Sequence, residues 1–194
     1  MTTSPLNALV ARLESVEALD GPARTVGQTV RGLIPSGAAK DALSGAWLGH
    51  AAHPLLTDIP IGTWTSSVLL DWVGGSDSQT ASDRLILAGV VAAGATVATG
   101  WSDWADAEEH DAAVRRAGLL HAALNATATA LMTVSYASRK RGARGRGKLL
   151  SLAGSAALGA GGWLGGHLSY TLGAGVTAGV PSAGMQPTAT SGVA

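Results

Sequence analysis

The chain has no cysteine and no phenylalanine, and charged residues fill only 13% of its 194 positions. Without cysteine, structural disulfides, thiolate zinc sites, iron–sulfur ligation and cysteine nucleophiles are excluded for this chain by itself. Without phenylalanine, much of the apolar content is Ala, Gly, Val and Leu, small or flexible groups that let helices approach closely. The formal net charge is zero, so no global field argues for nucleic acid. What is abundant is apolar: 46% hydrophobic residues and a mean hydropathy of +0.25 move the expectation toward a membrane.

The pattern predicts an all-α fold, a four-transmembrane-helix bundle with an N-terminal amphipathic helical segment. Residues 1–46 read as that segment and a linker, 47–172 as the membrane domain, and 173–194 as a flexible uncharged tail. Ser4 can cap a first helix and Pro5 suits its first position, while Leu6, Leu9, Val10, Leu13 and Val16 follow helical spacing. The first residues lack the basic start and continuous apolar run of a secretory signal. Gly21, Pro22, Gly32, Pro35 and Gly37 then predict a surface linker with one helical piece.

A first span begins near Pro54 or Pro60 and ends at Gly74. From Pro54, its length of about 30 Å is enough to cross the hydrocarbon. Gly62 and Ser66 offer it a contact face. The second span, Leu85–Ser102, is uncharged, with Gly89, Ala93, Gly94 and Ala98 at packing intervals and Trp101 and Trp104 as interface anchors. The acidic stretch 105–116 reads as a solvated connection. The third span, Ala117–Ala137, carries His121 and Asn125 on one face. The fourth, Leu149–Tyr170, places Gly161, Gly162, Gly165 and Gly166 just ahead of His167.

Four alternating spans put the start of the first and third and the end of the second and fourth on one side. That side collects His50, His53, Asp58, Asp103, His121 and His167, with His110 in its connecting loop. All five histidines therefore share one end. The loop Arg139–Lys148 carries six basic residues at the other end, which predicts that end in the cytoplasm and the histidine face outward.

The segments WLGHAAHPLLTDIPIGTW (47–64), LLDW (69–72), GWSDW (100–104), HAALN (121–125) and GWLGGHLSY (162–170) resemble a bacterial membrane family known only as domain of unknown function 2231. The resemblance covers about residues 40–176 and implies a four-helix protein of the bacterial inner membrane. Members of that family often stand beside, or are fused to, Rieske iron–sulfur domains, which implies a redox partner. Here it would be a separate chain. Ala51 replaces the proline expected after the first histidine of the head motif, leaving His53-Pro54 as the firmer match.

Polar groups at membrane depth are functional candidates by default. One reading is a haem b site, with His121 and His167 as the axial pair, His53 as substitute, and neighbouring glycines admitting the macrocycle. A second is a divalent-metal site drawn from His50, His53, Asp58, Asp103, His121 and His167. A third is proton or ion translocation, for which Asp71 is a thin continuation; it fits better as the partner of a basic group. The last is a non-enzymatic anchor or assembly subunit in the lipid bilayer, where the histidines hydrogen-bond helix ends and Asp58 caps backbone amides. No nucleophile elbow, phosphate loop or nucleic-acid motif supports catalysis or nucleic-acid binding.

Overall fold

The computed structural model describes residues 5–175. The Ser4 cap and most of the expected tail lie outside the described residues. Seven α-helices follow: α1 Pro5–Glu14, α2 Asp20–Leu33, α3 Ala38–Ser44, α4 His53–Val73, α5 Gln79–Ala107, α6 Ala112–Lys140 and α7 Arg144–Tyr170. Pro54 stands in the first turn of α4, where its missing N–H has no helical acceptor to lose. Asp111 caps α6, its Oδ1 accepting from the amides of Ala113 and Val114.

Helices α4 to α7 form an up-and-down ring in which α4 packs on α5, α5 on α6, α6 on α7 and α7 on α4. The direction of each is read from its cross-links. Ser67 near the end of α4 meets Ser82 near the start of α5, and Ser135 late in α6 donates to the Gly147 carbonyl early in α7.

With no phenylalanine, tryptophan set against glycine fills the interior. Trp64 Nε1 donates to the Ile86 carbonyl at 3.2 Å and its ring lies over Gly89. Trp104 Nε1 donates to the Val114 carbonyl at 3.3 Å over Gly118. Trp104 is thus core, packed with Ala23, Val114, Ala117, Leu164 and Leu168, and not the interface anchor expected of it. The inward stripe of α4 is Pro60, Trp64, Ser67 and Asp71. Gly62 and Ser66, expected to make its contact, face out.

Polarity in the ring is inverted relative to a water-soluble bundle. Ser67, Ser82, Thr96, Thr99, Ser102, Ser135 and Ser151 are buried, whereas Leu55, Ile59, Leu69, Leu87, Val91, Leu149 and Leu152 are exposed. By length and apolarity, α5 and α6 are the two described helices able to cross a membrane, with windows of mean hydropathy 1.6 and 1.3. Those windows are only 28% and 22% buried, unlike the core helix of a soluble protein. Helices α4 and α7 fall short of the same criterion. Thr57, Asp58, Thr63, Thr65, Ser66 and Ser67 dilute α4, and Arg144, Arg146 and Lys148 with many glycines dilute α7.

The expected linker is instead helical. Pro22 falls in the first turn of α2, where it breaks no hydrogen bond, and Gly27 lets α2 cross closely over Glu108.

Candidate functional site

At the histidine end, His53 opens α4 and His121 lies one-third along α6, diagonally across the ring. Their imidazoles meet edge to face with centroids 6.4 Å apart. His53 Nδ1 is 3.0 Å from the Thr96 carbonyl and 3.3 Å from Thr99 Oγ1, on α5. His121 Nδ1 is 2.8 Å from the Gly161 carbonyl, on α7. Each ring therefore ties its helix to the next. Asn125 Nδ2 donates to the His121 carbonyl at 2.9 Å and lies 3.2 Å from His121 Nε2.

The other expected site residues go elsewhere. His167 Nε2 contacts Glu14 Oε1 of α1 at 2.7 Å. His50 and Asp58 are exposed, and the His50 ring contacts the Ala51 carbonyl. Asp103 is half-buried in the field of Lys40 and Asp106. His110 is exposed on the Asp106 carbonyl. Among the described residues, no three His, Asp or Glu side chains gather closely enough to hold a metal ion. Sharing an end of the bundle does not mean sharing its axis, because helical rotation sends neighbouring positions to different faces.

Of the glycines expected to admit a macrocycle, Gly118 and Gly165 are filled by side chains, whereas a Cβ on Gly166 would meet only the Tyr170 ring, at 3.9 Å. A Cβ on Gly165 would stand 2.8 Å from the His121 ring and one on Gly161 2.9 Å from Asn125, while Gly118 lies under Trp104.

The N-terminal helices cover this end through ion pairs that the sequence reading missed. Glu108, in the connection expected to be solvated, is only 1% exposed, with Arg31 Nη1 at 2.9 Å from Oε1. Arg115 Nη1 donates to the Glu108 carbonyl. Asp20 receives a two-pronged contact from Arg116 at 2.7 and 2.8 Å and a third bond from Arg115 Nε at 3.2 Å. These guanidinium bonds, Arg116 first, hold the Asp20 carboxyl well below the usual carboxylate range.

A depressed folded pKa makes Asp20 stabilising above its unfolded value of about 3.9, and that contribution fades as pH falls through and below it. Amide exchange of residues 5–33, corrected for intrinsic rate, should therefore stay slow near neutrality and accelerate below about pH 4. Asp20→Asn should bring the faster exchange to neutral pH. Unchanged protection in both cases would remove Asp20 as the clamp.

At the opposite end a second cluster bridges the same diagonal. Asp71 and Arg139 are fully buried and bonded through Arg139 Nη2 to Asp71 Oδ2, with Nη1 2.8 Å from Oδ1. Arg144 Nη2 reaches Asp71 Oδ1 at 3.1 Å and its Nη1 reaches Asp83 at 3.0 Å, while Lys148 donates to the Asp71 carbonyl. Ser82, Ser135 and Ser151 complete the hydrogen bonds of the Arg139 guanidinium. The expected pairing of Asp71 is thus with Arg139. Of the six basic residues in the 139–148 stretch, Arg139 and Arg144 are turned onto these carboxylates and Lys148 onto the Asp71 carbonyl. The alternation that gathers the histidines also gathers Asp71, Asp83, Arg139, Arg144 and Lys148, so this cluster had a signal in the sequence.

A ring of helices with its hydroxyls and ion pairs inside and its aliphatic groups outside defines the class as a helical membrane protein. A family described as "Predicted membrane protein (DUF2231)" matches residues 49–178, and the chain belongs to that family. No curated protein and no solved structure matches it.

Proposed function

We propose that the chain is a four-span protein of the bacterial inner membrane, histidine end outward, that serves as a non-enzymatic anchoring and assembly subunit for a separate redox protein. One observation supports the four-span reading above the rest: aliphatic exposure continues around the ring onto α4 and α7, at Leu55, Ile59, Leu69, Leu149 and Leu152. Helices too polar to cross alone can cross as a bundle when their polar groups are satisfied against neighbours, as Ser67, Asp71 and Ser151 are here. The docked N-terminal helices would then present an extramembrane surface at the outer end. The redox association follows from the resemblance to a family found with Rieske domains.

The absence of cysteine allows a clean test. Single cysteines at Ser36, Ser76, Gly142 and Thr171 are labelled in intact cells with an impermeant maleimide. Four outward-oriented spans expose Ser36→Cys and Thr171→Cys and protect Ser76→Cys and Gly142→Cys. If only α5 and α6 cross, all four positions report the same side, and the four-span reading is lost. The inverse labelling would keep four spans and reverse the orientation. The assembly role predicts that an iron–sulfur electron paramagnetic signal co-purifies with the chain in mild detergent and disappears when α1–α3 are undocked by Asp20→Asn with Arg31→Ala. Retention of the signal in that variant would place the contact elsewhere, and its absence from the wild type would remove the redox partner.

A further inference from the structure

We propose that the end of the bundle away from the histidines carries a collar for anionic phospholipid headgroups, made by Arg84, Lys140, Arg141 and Arg146. Both the α4–α5 and the α6–α7 connections lie at this end, and its cations divide into two groups. Arg139 and Arg144 are spent on Asp71 and Asp83 inside the ring, and Lys148 on the Asp71 carbonyl. Arg84, Arg141 and Arg146 are exposed, and their side chains have no ion pair or hydrogen bond among the described residues. Lys140 is exposed with its amine 5.3 Å from the Tyr136 ring centroid. Against these four cations, the one carboxylate at this end outside the internal network is Asp77, which accepts from Ser76 Oγ. The surplus of positive charge faces outward, which selects an anionic partner.

The aliphatic groups beside the cations select a lipid over a soluble anion. Leu87 stands three residues after Arg84 and Leu149 three after Arg146, each on the same helix face and about 4.5 Å further from this end. Both leucines are exposed. A cation with a bare aliphatic group one turn deeper matches the order of a phospholipid, phosphate above acyl chain, whereas a free phosphate would leave the leucines uncovered. On α4 the exposed Trp72 holds the headgroup level, with the Lys148 amine 5.8 Å from its ring and the exposed Leu69 one turn deeper. The collar rests on the membrane reading but not on all four spans. Arg84 lies near the start of α5 and Lys140 ends α6, so both reach the boundary even if those two helices alone cross. Cysteine labelling and lipid retention therefore fail separately.

The test gives the full chain in mild detergent equal amounts of phosphatidylglycerol and phosphatidylcholine with matched acyl chains and counts the retained lipids by native mass spectrometry. The wild type should retain phosphatidylglycerol preferentially, with excess glycerol phosphate leaving it in place. A cation beside an anionic lipid surface changes partitioning about fivefold, so Arg141→Gln with Arg146→Gln should lower the preference by about that factor or more. Adding Arg84→Gln and Lys140→Gln should abolish it. None of the four side chains makes an ion pair or hydrogen bond within the described residues, so the quadruple variant should stay folded, which circular dichroism checks. Arg12→Gln with Arg24→Gln removes two exposed cations from the histidine end and should retain the wild-type preference. Equal retention of phosphatidylglycerol by the wild type and the folded quadruple variant overturns the proposal, as does a wild type with no headgroup preference. An equal loss in Arg12→Gln with Arg24→Gln also overturns it, assigning the preference to net charge. Displacement of the lipid by glycerol phosphate would do the same, assigning the cations to a soluble anion.

Discussion

Asp71→Ala should destabilise the bundle by about 3–5 kcal/mol, the cost typical of breaking a buried ion pair from one side. Both Asp71 and Arg139 have fully buried side chains. Removing the carboxylate leaves a guanidinium that cannot deprotonate, with Asp83 at 3.4 Å as its remaining anion. Arg139→Met should cost less. It leaves Asp71 with Arg144 at 3.1 Å and Ser82 at 2.8 Å, and a stranded carboxyl can take up a proton. The double variant Asp71→Leu with Arg139→Met should recover part of the loss, because neither charge is then stranded. Tryptophan fluorescence during denaturation in mixed micelles reads this order. Equal stability of Asp71→Ala and wild type would show that the cluster is hydrated and energetically slack.

One substitution made twice in α5 should act in opposite directions. Gly89→Ala places a methyl inside van der Waals contact of Trp64 Nε1 and Thr63 Oγ1. Trp64 is 2% exposed, and its indole N–H is committed to the Ile86 carbonyl, so the ring cannot swing away without losing that bond. Overpacking of this kind costs about 1–3 kcal/mol, and a larger residue such as valine should prevent assembly. Gly94→Ala meets nothing within 4 Å and should be neutral or stabilising by up to about 1 kcal/mol through helix propensity. Both glycines follow the same small-residue spacing in sequence, so only the ring geometry separates them. If the two alanine variants melt together, the Trp64–Gly89 contact is not the close one described.

The long helices were legible because their signals are local and repeated. Pro54 marks the start of α4, Gly74 and Gly75 its end, and the uncharged run from Leu85 its successor. The N-terminal region was harder. Pro22 and Gly27 look like breaks in a string of letters, yet a proline in the first helical turn costs nothing and a glycine at a crossing point is required. The role of Glu108 was hidden for a related reason. A carboxylate among acids reads as solvated until Arg31 arrives from a helix far away in sequence and Arg115, in the next helix, closes on its backbone carbonyl.

By itself, the sequence determined that the chain is helical, that its long segments alternate, and therefore which polar groups share an end. Those follow from composition and chain direction, which need no coordinates. The tertiary structure decided which members of each end actually meet: His53 with His121, His167 with Glu14, Asp71 with Arg139. The reason is rotation about the helix axis. A turn of about 100° per residue sends Asp58 to the outside and Asp71 to the axis of the same helix, and only the packing of four helices against one another sets that angle.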